Sequence, residues 1–136
     1  MRIRSEDRNT VLEIIANDPD DYCFGYRLTA VVEDGPNSFS GYNDGVHFSA
    51  LDQFLKQFAE FIETREGSAI LKMTEDCALE FFRWNARGDV GVKSRITKAR
   101  SDTDGRWRRN TLEIEFKIDS EYVTQVYQAL ASMRSA

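Results

Sequence analysis

The sequence predicts an α+β domain: an antiparallel sheet of about six strands with two amphipathic helices packed on one face. Three observations carry this. Leu51, Phe54, Leu55, Phe58, Phe61 and Ile62 fall on one stripe of a helix, with Gln53, Lys56, Gln57, Glu60 and Glu63 opposite and Gly67 placed to end it. Three strand-like segments follow in quick succession, 69–74, 78–85 and 90–98, joined by Glu75-Asp76 and by Ala86-Arg87-Gly88-Asp89. Connections that short imply antiparallel hairpins. Finally, Leu112, Ile114, Phe116 and Ile118 alternate with Glu113, Glu115 and Lys117, and a second amphipathic stripe follows at Tyr122, Val123, Val126, Tyr127, Leu130 and Met133.

The remaining elements fit the same plan. Thr10–Ala16 reads as a strand, broken by Asn17-Asp18-Pro19-Asp20-Asp21. Phe24–Glu33 alternates Tyr26, Leu28, Ala30 and Val32 against Arg27, Thr29, Val31 and Glu33. Asp34-Gly35-Pro36-Asn37 is a turn, Ser38–Tyr42 a short strand, and Asn43-Asp44-Gly45 a further turn signal. Ser49 is expected to cap the first helix, and Asp119 or Ser120 the second. The expected core is Leu12, Ile14, Leu28, Ala30, Phe54, Leu55, Phe58, Ile62, Leu71, Leu79, Phe81, Val90, Val92, Leu112, Ile114, Phe116, Val123, Val126 and Leu130.

A chain of 136 residues fits one domain, spanning 1–136, with room for a core that needs no disulfide or metal staple. The only cysteines, Cys23 and Cys77, make no disulfide framework and are expected in or near the core. The polar N-terminal stretch has no apolar signal-peptide region, and no apolar run reaches the roughly 20 residues a membrane span requires. The expected location is cytoplasmic, with no membrane partner.

Lys and Arg number 18 against 23 Asp and Glu, a net charge of −5. That deficit argues against nucleic acid as a partner, because such binding relies on cations displacing counterions from phosphates. Arg106-Trp107-Arg108-Arg109 is the one basic run; its aromatic suits base stacking, but a hairpin entering the strand at Leu112 is the simpler account.

No catalytic constellation is legible. His47 is the only histidine, so a histidine metal cluster is impossible, and neither cysteine has an adjacent His or a CxxC partner. Asp18, Asp20 and Asp21 are oxygen donors of the type Ca²⁺ prefers, but the ladder of an EF-hand loop is missing and a solvated turn accounts for them. The expectation is no enzyme, no cofactor and no metal. The alternative is a ligand-binding or enzymatic pocket near His47, between helices and sheet.

The strand around Leu79 holds a different signal. If Leu79 and Phe81 join the core, Glu80, Phe82 and Trp84 point to the open face, where Lys93, Arg95, Glu113, Glu115 and Lys117 would join them. Large aromatics amid charges have the composition of an interface centre with a polar rim. Phe82 and Trp84 are therefore candidate binding residues, unless the N-terminal strands cover them; the partner is a protein, or a second copy in a homodimer. Asp20, Asp21, Glu33, Asp34 and Asp44 are further candidates, because acidic loops on a sheet suit a basic partner.

The pattern Leu51-Asp52-x-Phe54-Leu55, Gly67-x-Ala69-x-Leu71, Leu79-x-Phe81 and Gly88-x-Val90-x-Val92, then the strand at Phe116 and the helix at Tyr122, resembles a group of small bacterial proteins. That group includes the Wap-type immunity proteins of contact-dependent toxin systems. The resemblance covers roughly the C-terminal two-thirds of the chain and consists of core positions and turn glycines. It implies a cytoplasmic antitoxin that binds a toxin domain without a reaction or cofactor, and it carries over no individual binding residue.

Overall fold

The computed structural model describes residues 1–18 and 25–133. Two antiparallel sheets stand where the sequence suggested one. The first, four-stranded, has the order β1-β2-β3-β4: β1 Arg2–Arg4, β2 Thr10–Ala16, β3 Tyr26–Asp34 and β4 Asn37–Val46. The second, five-stranded, has the order β5-β6-β7-β8-β9: β5 Phe48–Ser49, β6 Ser68–Met73, β7 Ala78–Arg83, β8 Val90–Ser101 and β9 Trp107–Ile118. Helix α1, Leu51–Thr64, enters between β5 and β6, and α2, Val123–Ser132, follows β9. The class is α+β as expected, but a single sheet of about six strands is incorrect. Alternation shows which residues share a face, not which edges pair. The chain changes sheets at His47, between β4 and β5.

The helices pack against the five-stranded sheet. Phe58 stacks on Phe81 of β7, with ring centroids 4.2 Å apart, and Phe54 and Tyr127 adjoin the same cluster. Burying one Phe fully contributes about 1.5–3 kcal/mol, so this stack anchors α1. The four-stranded sheet lies against the far part of β8 and β9. A Cβ on Gly41 of β4 would come 3.0 Å from the Leu112 side chain, so a larger residue there would require Leu112 to give way. Asn43, also on β4, donates from its amide to the carbonyl of Thr97 on β8 and to the Glu75 carboxylate. Residues from both sheets and both helices form one buried cluster.

The core follows the sequence pattern closely. Ile62 and Leu112, expected inside, are only partly buried, while Ile3, Val46, Phe61, Ala69, Met73, Cys77, Ile96 and Ile118 are buried as well. Cys77 sits in the core as expected, and Cys23 lies outside the described residues.

Local signals were displaced rather than absent. Asn43-Asp44-Gly45 is not a turn but part of β4, where the Asn43 side-chain oxygen accepts from the Gly45 N–H and the β3–β4 register slips. That is the signature of a bulge. Ser49 does not cap α1: Ala50 holds the N-cap position in the left-handed region, with no side-chain cap. At the other end Arg65 takes the left-handed position, donating its N–H to the Phe61 carbonyl, and Gly67 turns the chain into β6. A 3-10 turn over Ser120–Tyr122 leads into α2, and neither Asp119 nor Ser120 makes a side-chain cap.

Candidate functional site

Phe82 and Trp84 stand where the alternation put them. Leu79 and Phe81 of β7 are fully buried beneath the helices, and Glu80, Phe82 and then Trp84 project from the other side. The register brings Phe82 opposite Ser68 and Gly91, Glu80 opposite Ile70 and Lys93, and Ala78 opposite Arg95. Lys93 in turn faces Glu115, and Arg95 faces Glu113. The four-stranded sheet packs from the opposite side and does not cover this surface.

The two aromatic rings are held in place by a glycine. A Cβ on Gly91 would lie 2.6 Å from Phe82 Cζ and 2.8 Å from Trp84 Cε3. Both rings therefore lie across the bare backbone of β8, in the manner by which aromatics shield a sheet glycine. Their centroids are 6.1 Å apart. Phe82 is half-buried as a result, and Trp84 remains 40% exposed. Ile70 of β6, 41% exposed, extends the apolar patch one strand further.

Charges surround the patch and are only partly paired: Glu80, Lys93 and Glu115, which flank the aromatics, form no ion pair among the described residues. Arg95 bridges Asp76 at 2.9 Å and Glu113 at 3.1 Å. Lys117 contacts Glu6 at 2.9 Å and Asp89 at 3.6 Å. The hydrogen bond it donates to Glu6, supported by the nearby Asp89 charge, holds the Lys117 ammonium above its ordinary range. Asp89 lies below its ordinary range, chiefly because the Asn85 amide donates to it, with Lys117 and Arg87 adding to the effect. The apolar centre, rather than the mixed charges around it, is the feature of this face that suits docking.

The acidic candidates do not join this site. Glu33 and Asp34 end β3 at the turn into β4, while Asp44 lies near the opposite end of β4. All three are exposed, and the length of β3 separates the two locations by roughly 25 Å. Asp20 and Asp21 lie outside the described residues. Sequence reasoning passed over Ile70 and Gly91, although both were legible: Ile70 alternates with buried Leu71, and Gly91 interrupts an otherwise side-chain-bearing strand between Val90 and Val92.

His47 is exposed, and its ring lies against Gly25, where a Cβ would be 2.8 Å from Cε1. Its backbone N–H donates to the Thr74 hydroxyl. It lines neither a groove of about 520 Å³ between β1 and α2 nor a shallow cleft of about 760 Å³ between α1 and β6. The Cys77 thiol is pushed up by burial and accepts a hydrogen bond from the Thr97 N–H, which makes it a poor nucleophile. Among the described residues, no group of three or more His, Cys, Asp or Glu could hold a metal ion. No helix among them is long and apolar enough to cross a membrane. Arg106 follows the turn of the β8–β9 hairpin at residues 102–105, Trp107, Arg108 and Arg109 are the first residues of β9, and Trp107 is 75% exposed.

Comparison with known proteins adds no relative: no family model, curated protein or solved structure matches the chain.

Proposed function

We propose that this chain is a non-enzymatic protein-binding module that docks through the outer face of its five-stranded sheet. The carrying observation is the pair Phe82 and Trp84, fixed over Gly91 and flanked by Ile70 amid charges of both signs, some of them paired. Aromatic side chains that are already ordered lose little freedom on binding, which is what anchor residues require. A rim carrying both signs of charge favours specificity through complementary pairing with a partner.

The finer reading is an immunity protein acting in the cytoplasm, whose partner is a toxin domain. It rests on the resemblance of 51–92, with the following strand and helix, to Wap-type immunity proteins. Calorimetry against the C-terminal toxin-like domain of an adjacent gene product tests it. Tight binding that abolishes the domain's toxicity supports the immunity reading, and no heat at micromolar concentrations contradicts it. A concentration-dependent doubling of mass, abolished by Trp84→Asp, would instead assign the face to a second copy of the chain.

A further inference from the structure

The groove between β1 and α2 lies apart from the aromatic face and is independent of the reading given for that face. One wall is the edge strand of the four-stranded sheet, Arg2–Arg4, continued to Glu6. The other is Tyr122, Gln125, Val126 and Ala129, and the volume between them is about 520 Å³.

Hydrogen-bond parity shows what the edge offers. The Met1 carbonyl accepts from the Ile14 N–H, and the Ser5 N–H donates to the Thr10 carbonyl, so odd-numbered residues bond inward to β2. The backbone groups of Arg2 and Arg4 must then point away from β2, toward the free edge. Glu6 confirms the phase, because its N–H points outward and is taken by the Lys117 carbonyl of β9. Among the described residues, two residues of strand edge are thus open, ending where the two sheets meet.

Side-chain parity sets the chemistry of an occupant. Ile3 is buried between the exposed Arg2 and Arg4. A strand laid along β1 would place one residue opposite Ile3, pointing inward toward Val126 and Ala129. Its two neighbours would stand beside the Arg2 and Arg4 side chains. Arg2 already bonds Glu13 at 2.6 Å, whereas Arg4 and Arg8 form no ion pair among the described residues. A second copy of β1 is disfavoured here: antiparallel pairing about Ile3 would set Arg2 against Arg4, like charge on like.

We propose that the β1 edge and α2 form a docking groove for an extended peptide segment of the pattern acidic–apolar–acidic, added as a fifth strand to the four-stranded sheet. The apolar residue would enter the groove beside Ile3 and Val126, and the acidic residues would pair with Arg2 and Arg4.

The test is fluorescence anisotropy with a labelled peptide of alternating Glu and Val, using the full chain tagged at its C-terminus. Four comparisons accompany it: a Lys/Val peptide, a Glu/Gly peptide, a Glu/Val peptide N-methylated on the amides facing β1, and the Arg4→Glu variant, whose exposed site leaves folding intact by thermal melt. Binding of the Glu/Val peptide is expected, weakened about tenfold by Arg4→Glu and lost with each altered peptide. Absence of Glu/Val binding up to about 1 mM would overturn the proposal. So would equal binding of the N-methylated peptide, which excludes strand addition, or of the Glu/Gly peptide, which excludes the apolar pocket.

Discussion

Each sheet turns one face to solvent, and the two faces treat their exposed aromatics differently. On the five-stranded sheet, Phe82 and Trp84 lie across Gly91 with their outer ring surfaces unoccupied by any described charge. On the four-stranded sheet, Tyr42 is 43% exposed, yet its ring is already engaged by the Lys98 ammonium at 4.0 Å and the Arg27 guanidinium at 5.1 Å. Similar exposure therefore has different meaning. A ring whose π-face already holds cations has its best electrostatic partner within the molecule. A ring fixed from beneath and open above is prepared for an external one.

The sharpest way to break this comparison uses adjacent residues on opposite faces. Phe81→Ala should cost about 3–5 kcal/mol of stability, because it opens a cavity under Phe54 and Phe58. Phe82→Ala should cost much less in a denaturant melt. If the two melts shift equally, the outer face is part of the core and the docking reading fails. Gly91→Ala comes next. Its Cβ would collide with the far ends of both rings and displace them, at about 1 kcal/mol in stability. Trp84 fluorescence should shift to the red as the indole moves into water; an unchanged spectrum would show that Gly91 does not fix it. Tyr42→Ala should lose about 0.5–1 kcal/mol for each exposed cation–π contact. It should leave partner affinity unchanged, and a binding defect there would give the four-stranded face the docking role.

The smallest effect concerns pH. Asp7, Asp89 and Asp102 all lie below their ordinary range, led respectively by hydrogen bonds from the Ser5 hydroxyl, the Asn85 amide and the Arg108 guanidinium. A carboxyl with a depressed folded pKa takes up protons first in the unfolded chain. Its stabilisation is therefore present above the ordinary aspartate value of 3.8 and is lost as pH falls below it. Lys117 has the opposite sign: its contribution is held through neutrality and fades as pH rises past the ordinary lysine value of 10.5. These groups are solvent-screened, so thermal melts from pH 7 to pH 5 should coincide and decline only below about pH 4. A drop between pH 7 and pH 5 would point to a different titrating group.

The part of the fold controlled by local period was legible. Both helices, β6 to β8 and the second half of β9 follow from stripes and alternations that need no distant partner, and so did the outward aim of Phe82 and Trp84; β5, two residues long, carries no such pattern. What failed depended on tertiary contacts. Asn43-Asp44-Gly45 has turn chemistry, but the Asn43 amide finds the Thr97 carbonyl, and the segment stays in the strand as a bulge. β1 has a single buried residue, Ile3, between two arginines, too short a pattern to register as a strand. The acidic residues formed a set only by composition. Glu33 and Asp34 occupy one end of a strand pair and Asp44 lies toward the other, a separation that charge counting cannot reveal.

The most direct test of the aromatic face is a paired affinity measurement on a partner identified by calorimetry. It compares the Phe82→Ala/Trp84→Ala variant with the Ile15→Ala/Tyr42→Ala variant, both checked for folding. The first is predicted to lose at least about 2 kcal/mol of binding free energy, roughly thirtyfold in Kd, while the second binds as the parent chain does. Parent-like binding by the first variant, or loss confined to the second, would contradict a docking role for Phe82 and Trp84.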